Sequence, residues 1–202
     1  MDKNDITAIV LAGGRGSRMG GTDKGLQLFN GVPLALHAVQ RVALQVGKTF
    51  VNANRNFDIY QSFGCEVYPD SDAQFAGPLS GFAVGLAHCQ TPYLLTVPCD
   101  SPRFPIDLAK RLASHMEQGL QQGDFDIAMA AQDGYTQPVF CLIKRELLPS
   151  LQAFMQSGRR KIDDWTATQK TVIVNFDKPT DDAHAFANAN TLEELALLEK
   201  VS

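Results

Sequence analysis

The chain has 202 residues, 45% hydrophobic and 20% charged, with a formal net charge of −4 and four cysteines. That is enough chain for one generous domain whose core needs no disulfide or metal staple. The mild net acidity argues against a nucleic-acid or membrane-surface protein, so any anion site must be a focused one; no segment approaches the roughly 20 apolar residues of a membrane span, and the N-terminus lacks a signal-peptide pattern.

Ile6–Leu11 (ITAIVL) is a short β-branched apolar run that stops at glycine, which predicts a buried strand. A glycine-rich loop follows. Pro33–Val46 has helical periodicity, with Pro33 acceptable in a first turn. Thr49–Val51 predicts a second strand, Arg55–Phe63 a helix ending at Gly64, and Glu66–Tyr68 a short third strand. Leu79–Cys89 reads as a small-residue helix, and Tyr93–Val97 as another buried strand, followed by PCDSP. Ile106–Gln121 is helical in pattern. Ile127–Ala131 and Pro138–Ile143 predict strands, the latter with its proline at an edge or first position. Arg145–Met155 and Lys161–Thr168 predict helices, Thr171–Phe176 a strand, and Leu192–Val201 a closing helix with Thr191 as N-cap.

Strands alternating with helices predict an α/β fold with a mostly parallel sheet. Ligands in such sheets collect beyond the carboxyl ends of the strands. Three candidates stand there: the glycine loop, Asp70 and Asp100. Cys65, Cys89, Cys99 and Cys141 form no C-x-x-C pair and read as reduced thiols.

The loop LAGGRGSRMGGTDKG (Leu11–Gly25) fails two common phosphate signatures. Lys24 follows Asp23 and precedes Gly25, which breaks the P-loop pattern, and Met19 stands where G-x-G-x-x-G needs its third glycine. An isolated glycine-rich loop can simply face water. This one leaves a buried strand, is long, and carries Arg15, Arg18 and Lys24. Bare glycine lets backbone N–H groups converge on an anion, and the three cations offset polyphosphate charge.

These residues resemble the signature of nucleotidyltransferases of the sugar-nucleotide pyrophosphorylase type. VNANR (Val51–Arg55), YPDS (Tyr68–Ser71), GPLSG (Gly77–Gly81), PCDSP (Pro98–Pro102), GYTQPVF (Gly134–Phe140), SGRRK (Ser157–Lys161) and FANANT (Phe186–Thr191) narrow the resemblance to the molybdenum cofactor guanylyltransferases, from about Ile6 to Leu198. The resemblance implies a single three-layer Rossmann-like nucleotidyltransferase domain over residues 1–202. Its nucleotide half spans about 1–105 and its acceptor half about 106–202. It implies transfer of GMP from GTP to Mo-molybdopterin with release of pyrophosphate, and Mg²⁺ as cofactor. It also implies a cytoplasmic enzyme, monomeric, with transient contacts to molybdenum-cofactor biosynthesis proteins and apo-molybdoenzymes. A cytidylyl or sugar-phosphate relative, or a non-catalytic nucleotide-binding module, is the alternative.

By resemblance, Leu11, Ala12, Gly13, Gly14, Lys24, Asn52, Asp70, Gly77 and Asp100 bind GTP. Asp100 is also the Mg²⁺ residue, and Arg18 and Lys24 hold the leaving pyrophosphate. Hard Mg²⁺ favours one or two carboxylates plus phosphates and water, but a proline-flanked aspartate is also an ordinary turn residue. Asn52 and Asp70 suit either the guanine edge or ribose. Asp23 is an ion-pair partner or a loop cap. Asn188 and Asn190 alternate along FANAN and so face one way if extended, and the resemblance sets them near the acceptor. Arg159 and Arg160 meet that acceptor or water, and Trp165 is core or a pterin wall. Cys99 has no histidine near it in sequence to activate it.

Overall fold

The computed structural model describes residues 1–13, 23–71, 77–119 and 124–200. In chain order its elements are β1 (Ile6–Leu11), β2 (Leu28–Phe29), β3 (Val32–Pro33), α1 (Leu34–Ala43), β4 (Lys48–Asn52), α2 (Phe57–Gln61), β5 (Glu66–Tyr68) and α3 (Pro78–His88). They continue with β6 (Tyr93–Pro98), α4 (Leu108–Gly119), β7 (Ile127–Gln132), β8 (Tyr135–Lys144), α5 (Leu148–Gln156), α6 (Ile162–Thr166), β9 (Thr171–Asn175) and α7 (Leu192–Lys200).

A seven-stranded sheet runs in the order β5-β4-β1-β6-β8-β7-β9. All its pairings are parallel except those of β8, which runs antiparallel to β6 and β7. β1 shows why the interior strands read as continuous apolar runs: both of its faces are covered. Ile6, Ala8 and Val10 point to one side, into a core shared with Ala35, Ala38 and Val42 of α1 and Leu108 and Leu112 of α4. Ile9 points to the other, against Leu79, Phe82 and Leu86 of α3, Leu151 of α5 and Trp165 of α6. Gly85 sets the close approach of α3, since a Cβ there would lie 2.6 Å from Leu94 Cδ2. No described helix is long and apolar enough to cross a membrane.

Several local features depart from the sequence reading, among them the end of α1 at Ala43 rather than Val46 and a separate 3₁₀ turn at Arg145–Leu147 ahead of α5. β2 and β3 form a hairpin that the sequence reading left unassigned; its Asn30-Gly31 turn has positive φ at both residues, as a type I′ turn requires. The predicted helix from Pro33 starts one residue later, with Pro33 in β3 and serving as N-cap. Pro138 lies at neither an edge nor a strand start: β8 begins at Tyr135, and the β7–β8 register is irregular between Met129 and Ala131. Pro138 falls in that irregularity and outside the β6–β8 register, where its missing N–H costs no ladder bond.

Candidate active site

The parallel strands bring the carboxyl ends of β5, β4, β1 and β6 side by side. The first residues beyond β1 are stitched to both neighbours. The Ala12 N–H donates to the Asn52 carbonyl at 2.8 Å, and the Cys99 N–H donates to the Leu11 carbonyl at 3.1 Å. The start of the glycine loop thus has the end of β4 on one side and Asp100 on the other.

On the β4 side, Asn52 is buried and donates from Nδ2 to the Tyr68 carbonyl (3.1 Å) and to Asp70 Oδ1 (2.9 Å). Asn54 donates from Nδ2 to Asp70 Oδ2 (2.8 Å) and to the Gly13 carbonyl (3.1 Å), and accepts the Asp70 N–H at 2.8 Å. A Cβ at Gly13 would lie 3.0 Å from Asn52 Oδ1, and one at Gly81 would lie 2.8 Å from it. Glycine at both positions therefore keeps a notch open around that amide. Gly77, the N-cap of α3 with φ of 137°, starts the helix one turn before Gly81.

On the β6 side, Lys24 Nζ donates to Asp100 Oδ2 and, at 2.8 Å, to Asn190 Oδ1. Among the described residues, hydrogen bonds to the Asp100 carboxylate come from Lys24 alone. The Asp100 carbonyl accepts the Ala189 N–H at 2.8 Å, and buried Ser101 donates from Oγ to Asn188 Oδ1 at 2.6 Å. Asn188 and Asn190 thus spend their oxygens on this corner, keeping their amide N–H groups.

Several bonds hold the segment that delivers those asparagines. Gln132 Nε2 donates to the Asp182 carbonyl at 2.8 Å, and Arg103 pairs with the Asp182 carboxylate. The Arg111 guanidinium lies 3.7 Å from the Phe176 ring centroid and bonds Asp181 Oδ1 at 2.8 Å, holding that carboxyl below the usual aspartate range.

Asp23 sets the approach of Lys24. Its buried carboxylate caps the turn through the Gly25 N–H (3.2 Å) and accepts from Tyr60 Oη (2.7 Å) and Asn56 Nδ2 (2.8 Å), with Arg55 Nε at 3.5 Å. Asp23 is thus a loop cap whose ion-pair partner is Arg55, while Lys24 beside it in sequence pairs with Asp100 instead. A Cβ at Gly25 would sit 2.4 Å from Tyr60 Oη. Tyr60 is fully buried and cannot swing away without leaving Asp23 short of a donor. Gly25→Ala is therefore expected to destabilise the fold by about 1–3 kcal/mol, read as a lower urea midpoint at unchanged m.

Lys24, Asp100, Asn188 and Asn190 come together at one corner, and Leu11, Ala12, Gly13, Asn52 and Asp70 at the adjoining one. Gly14, Arg15 and Arg18 lie outside the described residues. Cys99 is buried, and burial together with Asp100 pushes its thiol up, which disfavours the thiolate a nucleophile needs. Arg159 sits over the Phe154 ring, 3.7 Å from Asp164, and Arg160 donates to the Met155 carbonyl. Trp165 is fully buried, edge-to-face with Phe82, and so belongs to the core. Among the described residues, no group of three histidine, cysteine, aspartate or glutamate side chains forms a ready metal cage. Sequence reasoning missed two residues, Asn54 and Ser101. The alternation that picks out Asn188 and Asn190 also sets Asn54 two positions after Asn52.

The family model of the MobA-like NTP transferase domain matches residues 8–172. A molybdenum cofactor guanylyltransferase of Bordetella petrii is 60% identical over 202 residues, covering 98% of this chain and 99% of the relative. One from an Acidovorax species is 56% identical over 209 residues, covering 98% and 97%. Among solved structures, molybdopterin-guanine dinucleotide biosynthesis protein A from Archaeoglobus fulgidus aligns with a TM-score of 0.76 over 96% of this chain and 97% of its own; at 20% identity it speaks to fold alone.

Proposed function

The chain belongs to the MobA-like NTP transferase family, and from that premise we propose that it is a molybdenum cofactor guanylyltransferase, joining GMP from GTP to Mo-molybdopterin. The observation that carries this reading is the meeting of Lys24, Asp100 and Asn190 next to the end of β1. The acceptor's phosphate oxygen attacks the α-phosphorus of GTP, the bond from that phosphorus to the β-phosphate bridging oxygen breaks, and pyrophosphate leaves. A phosphate monoester has a second pKa of about 6, so the nucleophile is already anionic at neutral pH. No general base is required, and repulsion between anions is the obstacle.

The donor set fits Mg²⁺: a hard oxygen ligand in Asp100, whose Oδ1 has no protein donor among the described residues, the kind of single carboxylate on which substrate phosphates and water complete the shell. Asp100 would hold the ion, which supplies charge neutralisation at the phosphates. Lys24 moves its ammonium from Asp100 to the leaving phosphates and stabilises their developing charge. Asn52 and Asp70 take the nucleoside in the notch that Gly13 and Gly81 keep open. Asn188 and Asn190 offer their amide N–H groups to the acceptor. In this reading the enzyme works in the cytoplasm as a monomer that meets its biosynthetic partners and apo-molybdoenzymes transiently.

Pyrophosphate release on mixing the protein with GTP, Mg²⁺ and Mo-molybdopterin tests the reading, and release no faster than without protein would favour a binding module. With Mg²⁺, GTP at 100 times its Kd should stabilise the fold by about 2.7 kcal/mol. A Tm raised by CTP and not by GTP would overturn the choice of base.

A further inference from the structure

We propose that Asn54 is a positioning residue for nucleotide recognition, acting through Asp70; the inference rests on the reading of Asp70 as a GTP contact. A side-chain amide has two N–H donors and one carbonyl acceptor. Asn54 spends all of them across the site. One N–H goes to Asp70 Oδ2 at 2.8 Å and the other to the Gly13 carbonyl at 3.1 Å, while Oδ1 takes the Asp70 N–H at 2.8 Å. Asp70 is thus gripped by backbone and side chain at once. Asn52 takes the other carboxylate oxygen at 2.9 Å. Each Asp70 oxygen has one amide donor and keeps acceptor capacity for the nucleoside.

The geometry makes one rigid unit of three segments far apart in sequence: the loop mouth at Gly13, the turn after β4, and the loop after β5. Asp70 lies on that last loop, beyond any strand hydrogen bonding of its own, and without Asn54 it would lose its backbone anchor and one of two carboxylate donors, keeping only the Asn52 bond against rotation about χ1 and χ2. Ordering it would then fall to the ligand, at a cost in affinity. Among the described residues, Asn54 makes no hydrogen bond to Lys24 or Asp100, so the effect belongs to binding and not to the chemical step.

The test is a double-mutant cycle on the full chain, with GTP affinity measured by calorimetry and kcat and KM by pyrophosphate release. Asn54→Ala is expected to weaken GTP binding and raise its KM about 5- to 10-fold, with kcat at saturating GTP unchanged. Asp70→Ala should weaken binding at least as much, and the pair together no more than Asp70→Ala alone. Asn54→Asp replaces both donors with acceptors facing Asp70 and the Gly13 carbonyl, and should bind GTP more weakly than Asn54→Ala. Asn54 is exposed, so circular dichroism melting is expected to find both variants folded. A lower Tm with GTP affinity kept, or wild-type affinity in either Asn54 variant while Asp70→Ala weakens binding, overturns the proposal and spares the reading of Asp70. A double mutant weaker than Asp70→Ala by the full Asn54 factor overturns it too, because Asn54 would then meet the nucleotide directly. An Asp70→Ala variant that binds GTP normally removes the reading of Asp70 and the proposal with it.

Discussion

Asp100→Asn is expected to lower turnover by about 10²–10³-fold while leaving the fold intact. The backbone at this position does not depend on the carboxylate. Cys99 N–H is held by the Leu11 carbonyl, the Asp100 carbonyl by Ala189 N–H, and Ser101 by Asn188. An asparagine keeps the shape and a neutral oxygen for Lys24. It loses the full negative charge that a hard dication needs when it retains few protein ligands. Residual turnover should therefore require far more Mg²⁺ than the wild type, and the check is a Mg²⁺ titration of initial rate beside a thermal melt. Wild-type turnover at ordinary Mg²⁺ would remove Asp100 from the metal role. A large fall in Tm would recast it as a structural aspartate.

How much of this was legible depends on where the physics lies. β1 was readable end to end because both its faces are buried, so composition alone marks it. The β2–β3 hairpin was missed although FNGV carries a strong turn signal: strands of two residues leave no room for alternation to show. Pro138 misled because a proline within an apolar run argues for an edge, whereas here an irregular β7–β8 register absorbs it. In the site, residue types were readable and partnerships were not. Lys24 and Asp100 are 76 positions apart, and they become neighbours through the β1–β6 pairing together with the Asp23 anchor that holds the Lys24 turn. Asn188 and Asn190 reach that corner because Gln132, Arg103 and Arg111 hold the chain before them, a long-range arrangement no local pattern encodes. Asn54 was the recoverable omission, since the two-residue spacing in VNANR is the one used for FANAN.

Lys24→Ala should lower kcat/KM for GTP by about 10–100-fold, the worth of one charge-assisted bond of about 1.5–3 kcal/mol. A second expectation has the opposite sign. The ammonium pairs with Asp100 Oδ2, so it competes with any cation for the same carboxylate. Removing it should tighten divalent-cation binding to the nucleotide-free protein, by up to about fivefold given that the pair is partly solvated, with side chains 21% and 19% exposed. Turnover falls while cation affinity rises. The two readings can be taken on one preparation, with Mn²⁺ as a spectroscopic probe of the metal and pyrophosphate release as the rate. If both fall together, Lys24 supports Asp100 as scaffolding. If kcat/KM is unchanged, the leaving phosphates are neutralised elsewhere. Only the opposed pair of changes matches an ammonium that yields the carboxylate to the metal and follows the charge onto the phosphates.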